Sequence, residues 1–77
     1  MLLKFFTEGC GPCYALSLIL DEKMITHGSI DINKDIDSAI AYRVMSVPTL
    51  LNTETGARMV GFKDKVTLEK WLNDNQS

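Results

Sequence analysis

Cys10-Gly11-Pro12-Cys13 lies at the junction between an apolar run (Leu2, Leu3, Phe5, Phe6) and a segment of helical character that extends to about Met24. Two cysteines with two residues between them, after a strand and at the opening of a helix, close into a small disulfide ring with little backbone movement. A helix N-terminus presents unpaired N–H groups and the positive end of its dipole, and both favour a thiolate over a thiol. Pro12 suits the first helical turn, where its missing N–H would be unpaired in any case. The tetrapeptide therefore reads as Cys10 at the exposed helix tip acting as nucleophile and Cys13, one turn in, as resolving thiol, with Gly11 and Pro12 supporting the turn. A zinc half-site and a pair of inert core thiols are the alternatives. Zinc usually takes four ligands, and the chain has one histidine, His27, and no second cysteine pair, so no metal is expected. As a structural staple so short a loop stabilises little, which favours a redox role.

On either side of the motif the pattern is that of an α/β domain. Leu2 to Phe6, ending at Thr7-Glu8-Gly9, reads as a buried strand. Ala15, Leu16, Ile19 and Leu20 recur at helical spacing, Tyr14 and Leu18 widen the apolar face, and Ser17, Asp21, Glu22 and Lys23 supply the polar side. Thr26, His27 and Gly28 read as a connection, and Ser29 to Asn33 as a second strand, parallel to the first through a right-handed crossover. Asp35 or Asp37 caps a second helix through about Arg43, with Ile36, Ala39 and Ile40 on its buried side. Pro48 can begin a strand but not lie within a central one. Thr49 to Asn52 is that strand, Thr53-Glu54-Thr55-Gly56 a turn, and Ala57 to Gly61 the antiparallel partner. Asp64 caps a last helix in which Leu68, Trp71 and Leu72 face the sheet. The order βαβαββα predicts a mixed four-stranded sheet flanked by three helices.

Seventy-seven residues make one domain, 1–77, near the lower limit for a single unstapled core. A net charge of -2 leaves no basic footprint for nucleic acid or an anionic membrane. Met1-Leu2-Leu3 meets Lys4 at once, and no apolar run approaches a signal-peptide core or a bilayer span, so a cytoplasmic protein is expected.

The motif and two later landmarks together resemble the thioredoxin family, whose redox site is this same Cys-Gly-Pro-Cys. Val47-Pro48-Thr49-Leu50 matches the family's hydrophobic-Pro-Thr segment, and Gly61, after Val60, matches the glycine of its last strand. The resemblance covers nearly the whole chain and implies a thioredoxin-like fold. It also implies that Pro48, which composition alone would read as a turn proline, follows a cis bond and faces the disulfide. Val47, Thr49 and Gly61 then border the bound substrate, the Val47 backbone pairing with an extended segment of it. The chain opens on the strand before the motif, where thioredoxins carry a further strand and helix, so its outline is closer to glutaredoxins and to the small thioredoxins of archaea and phages.

Departures from the family pattern locate what is particular to this chain. Gly9 replaces the usual tryptophan beside the first cysteine and leaves the site less shielded. Lys4 stands where thioredoxins place a buried aspartate that takes the proton of the second cysteine, which an ammonium cannot do. Either the strand is shifted by a residue and Lys4 snorkels to the surface, the preferred reading because buried lysines are rare, or Lys4 lies near the thiols and favours thiolate. Tyr14 replaces a basic residue at the rim. Glu8 reads as a solvated loop charge and His27 as a surface or hydrogen-bonded residue. Met24, Met45 and Met59 read as core filler, Met45 with the further option of a docking rim near Pro48.

The resemblance implies a protein-disulfide reductase; no bound cofactor is expected, and a monomer is expected because nothing in the sequence demands a dimer. Its substrates are disulfide-containing proteins, ribonucleotide reductase among them, and its electron source is a flavoprotein thioredoxin reductase drawing on NADPH and FAD. A glutathione-dependent, glutaredoxin-like enzyme is the rival, supported by Val60-Gly61-Phe62-Lys63-Asp64 and weakened by the absence of basic residues at Glu8 and Tyr14. A non-catalytic binding subunit on the same fold is the third reading.

Overall fold

Successive residues of a strand face opposite sides of the sheet, and β1 (Leu2–Phe6) is buried on both. Such a strand belongs in the middle of a sheet. β1 pairs in parallel with β2 (His27–Asp31) and antiparallel with β3 (Thr49–Asn52), which pairs antiparallel with β4 (Arg58–Val60). The strand order is therefore β2-β1-β3-β4. Helices α1 (Gly11–Glu22), α2 (Ile36–Ala41) and α3 (Lys65–Asn75) complete the expected βαβαββα order. This computed structural model describes residues 1–75; Gln76 and Ser77, at the end of the expected domain, lie outside the described residues.

One apolar cluster joins Leu16 and Leu20 of α1 to Leu68 and Leu72 of α3 over Leu2 and Leu50 of the sheet. Each such leucine contributes about 1.5–3 kcal/mol by leaving water. On the other face Phe5, Leu51 and Val44 form a second cluster with Leu3, Ile30, Ile32 and Val47, and the Tyr42 ring lies 5.8 Å from that of Phe5. The disulfide helix α1 is thus held by the larger of the two cores.

Several local expectations are corrected by the tertiary structure. The second strand is His27–Asp31 rather than Ser29 to Asn33, because its start is set by pairing of Leu2 with His27. Asp31 then ends it by accepting the Asn33 N–H at 2.9 Å in an Asx turn. The first two helices stop short of Met24 and Arg43, since each closes in a Schellman motif whose αL residue is Met24 or Arg43, both at φ 56. In the first, Met24 N–H donates to Asp21 O and Ile25 N–H to Leu20 O; in the second, Arg43 N–H donates to Ile40 O and Val44 N–H to Ala39 O. Of the three α2 residues expected inside, only Ala39 is buried, because six residues give the helix one inward position; Ile36 and Ile40 are exposed. Tyr14, Leu18, Met24 and Met45 are exposed as well, so these two methionines are not core filler.

Candidate active site

Where β1 ends, Gly9 takes φ +77, a left-handed backbone that a Cβ resists, and turns the chain into Cys10. Cys10 is the N-cap of α1: its Sγ accepts the Cys13 N–H at 3.1 Å, and its carbonyl accepts the Tyr14 N–H at 3.1 Å. The two cysteines are joined in a disulfide with Cα atoms 5.2 Å apart. Their environments differ. Cys10 is half-buried at the helix tip, whereas Cys13, within the first turn of α1, is 3% exposed. Gly11 and Pro12 are exposed between them.

The sheet brings the second sequence landmark to the same end. Phe5 pairs with Thr49, the first residue of β3, so Pro48 lies where β1 hands the chain over to the motif. The Val47–Pro48 peptide bond is cis, and Pro48 is buried. Thr49 pairs with Val60, which puts Gly61 there too; its N–H donates to Pro48 O at 2.8 Å, and its φ is +83. Thr49 does not present its side chain outward: it is buried, and its hydroxyl donates to Ser46 O at 2.8 Å. Among the described residues the Val47 amide and carbonyl have no hydrogen-bond partner.

Lys4 corrects the preferred reading of the sequence. There is no snorkelling chain here: Lys4 is 7% exposed, opposite Leu50 on the α1 side of the sheet. Its Nζ donates to Ser17 Oγ and lies 5.4 Å from the centre of the Phe6 ring. The Ser17 hydroxyl in turn donates to Cys13 O at 3.0 Å. Burial pushes the Lys4 pKa down from its ordinary value, and the Asp21 carboxylate partly restores it. Ser17, which the sequence pattern puts on the polar side of its helix, lies four residues after Cys13, the spacing that brings it onto the same helix face. Tyr14, 68% exposed, stands beside Cys13, and Glu8 pairs with Lys34 at 3.4 Å in solvent. His27 donates its Nδ1–H to Ile25 O at 2.8 Å and lies in β2, away from the motif.

A disulfide with one sulfur at the surface and the other inside, at the start of a helix, can exchange with an incoming disulfide and reclose, which is the chemistry of a thiol-disulfide oxidoreductase. The chain is 40% identical over 81 residues to a thioredoxin of Chlamydia pneumoniae, spanning 95% of this chain and 79% of that one. It is 34% identical over 82 residues to a thioredoxin of Bacillus subtilis, again spanning 95% and 79%. Among solved structures, a mutant thioredoxin from Halobacterium salinarum superposes with a TM-score of 0.81 at 26% identity, covering 99% of this chain and 74% of the other. No family model matches the chain. The chain belongs to the thioredoxin family, and its activity is the reduction of protein disulfides through a dithiol-disulfide pair. Among the described residues no helix is long and apolar enough to cross a membrane.

Proposed function

We propose that Cys10 is the attacking thiolate and Cys13 the resolving thiol. The observation that carries this assignment is the difference in burial between two sulfurs bonded to one another. In the reduced protein the Cys10 thiolate attacks one sulfur of a substrate disulfide, forming a mixed disulfide and expelling the first substrate thiolate, which takes up a proton. Cys13 then loses its proton and attacks Cys10 Sγ, the bond to the substrate breaks, and the second thiolate leaves and is protonated. Two electrons and two protons pass to the substrate, and the Cys10–Cys13 disulfide forms.

Val47, Pro48 and Gly61 form the bed against which an extended substrate segment lies, with the unpaired Val47 amide and carbonyl available to its backbone. Thr49 serves this bed from beneath by holding Ser46. Gly11 and Pro12 support the motif, and exposed Tyr14 and Met45 add apolar surface at its rim. An NADPH-dependent flavoprotein thioredoxin reductase recharges the disulfide in a reducing cytoplasm, and ribonucleotide reductase is among the acceptors. Glutathione is the less favoured donor, because the motif's neighbours Glu8 and Tyr14 offer its carboxylates no cation and Lys34 is engaged by Glu8.

Two experiments test the reading. Cys13→Ser should accumulate a mixed disulfide on Cys10 with a disulfide-bonded protein such as insulin, detected by mass spectrometry, and Cys10→Ser should accumulate none; the reverse pattern overturns the assignment. Insulin reduction driven by NADPH and thioredoxin reductase, but not by glutathione and glutathione reductase, is the expected result for the electron source.

A further inference from the structure

The reaction as described leaves one buried group without a part. Lys4 is the charged residue of the core, and a lone ammonium there is disfavoured unless something compensates it. The groups that do so are the Ser17 hydroxyl, the face of the Phe6 ring and the field of Asp21, which lies one turn beyond Ser17 on α1. Its direct neighbours across the sheet, Leu50 and Ser29, are uncharged; Asp31 and His27 flank Ser29 on the same face of β2, opposite Phe6 and Leu2, and the charge that acts on Lys4 is that of Asp21. The cation is thus fixed at Ser17, in the second turn of α1, two hydrogen bonds from the carbonyl of Cys13.

That is where the resolving step needs positive charge. Cys13 is buried, and burial disfavours a thiolate relative to a thiol. Yet Cys13 must lose its proton to close the disulfide. We propose that Lys4 is a positioning residue of the redox centre, its ammonium held by Ser17 under Cys13 so as to favour the Cys13 thiolate in the resolving step. This rests on the assignment of Cys13 as resolving thiol, which the mixed-disulfide trap tests separately. In balanced form, Cys13 gives its proton to solvent, its sulfur bonds to Cys10 Sγ, and the Cys10–substrate bond breaks to release a thiolate that solvent protonates. Lys4 transfers nothing. With an effective dielectric constant of about 20, a unit charge within about 12 Å moves a titration by about one pH unit or more.

The test uses the reduced full chain labelled at the cysteine Cβ carbons, titrated by NMR in the wild type, Lys4→Met and Ser17→Ala. Methionine keeps the length and apolar stem of lysine and removes the charge. In Lys4→Met the Cys13 titration should rise by about one unit, and that of Cys10 by less. Ser17→Ala, which releases Nζ from the helix, should move Cys13 the same way by a smaller amount. The release of reduced substrate from a preformed mixed disulfide on Cys10 should slow about threefold at neutral pH in Lys4→Met, since the loss of thiolate is partly offset by its greater nucleophilicity. That ratio should close toward one at alkaline pH, where Cys13 is a thiolate in both proteins. A merely structural role would not produce this pH dependence. A Cys13 titration unmoved in Lys4→Met, with the oxidised protein still folded by circular dichroism, overturns the proposal. Should Lys4→Met not fold, an unmoved Cys13 in Ser17→Ala overturns it.

Discussion

The N–H of Gly61 donates to the carbonyl oxygen of Pro48 at 2.8 Å, tying the end of β4 to the residue that opens β3. Gly61 reaches this position at φ +83, and a Cβ built there meets nothing within 4 Å. The obstacle to a larger residue is therefore conformational rather than steric crowding by neighbours. Gly61→Ala should lower stability by about 1 kcal/mol, seen as a lower urea midpoint with an unchanged m-value. It should also weaken insulin reduction at low substrate concentration if this turn shapes the docking bed. An unchanged midpoint would mean that the turn relaxes to accept the side chain.

Leu16 is fully buried between α1 and the sheet, about one turn after Cys13. Leu16→Ala should cost about 2–5 kcal/mol, a large share of the stability of so small a domain. Urea denaturation of the oxidised protein measures it. Ile40→Lys, on the exposed side of α2, should by contrast stay within about 0.5 kcal/mol of the wild type. Equal losses from the two substitutions would contradict the placement of the core.

Two aspartates give the fold an acid limit. Asp35 accepts the Ser38 hydroxyl at 2.7 Å and its N–H at 3.1 Å, and Asp64 accepts the Thr67 N–H at 2.7 Å. These bonds hold both carboxyls below their ordinary value of 3.8, the Ser38 hydroxyl leading for Asp35 and the Thr67 amide for Asp64. A lowered folded-state pKa means that the unfolded chain binds more protons, so stability rises with pH in this range. The contribution is fully present above 3.8 and is lost as pH falls through the folded values. Thermal midpoints of Asp35→Asn/Asp64→Asn should therefore fall less steeply on acidification than those of the wild type. Parallel curves would show that the caps do not titrate with folding.

The chain's order of elements and its redox pair were legible because both are written in local pattern. Period-2 and helical spacing separate strands from helices, and the Cys-x-x-Cys spacing with Pro12 marks a helix start. Asp64 could be read as a cap because its partner, the Thr67 amide, lies three residues on. The errors fall where a distant segment decides the outcome. Ile36 and Ile40 have the spacing of a buried face, yet a helix of six residues with a Schellman end turns only Ala39 inward. The start of β2 depends on which residue of β1 it meets, and that register is a contact between segments remote in sequence.

By itself, then, the sequence determined the βαβαββα order, the dithiol and the polarity of the helix that carries it, since each follows from interactions within a few residues. Only the tertiary structure decided that Pro48 and Gly61 stand at the same end of the sheet as Cys10, because antiparallel pairing of β3 with β1 and of β4 with β3 brings them there. It also decided the place of Lys4. Its own stretch of sequence is compatible with a lysine that reaches water, and the packing of α1 over β1 closes that route and leaves Ser17 as the partner of its ammonium.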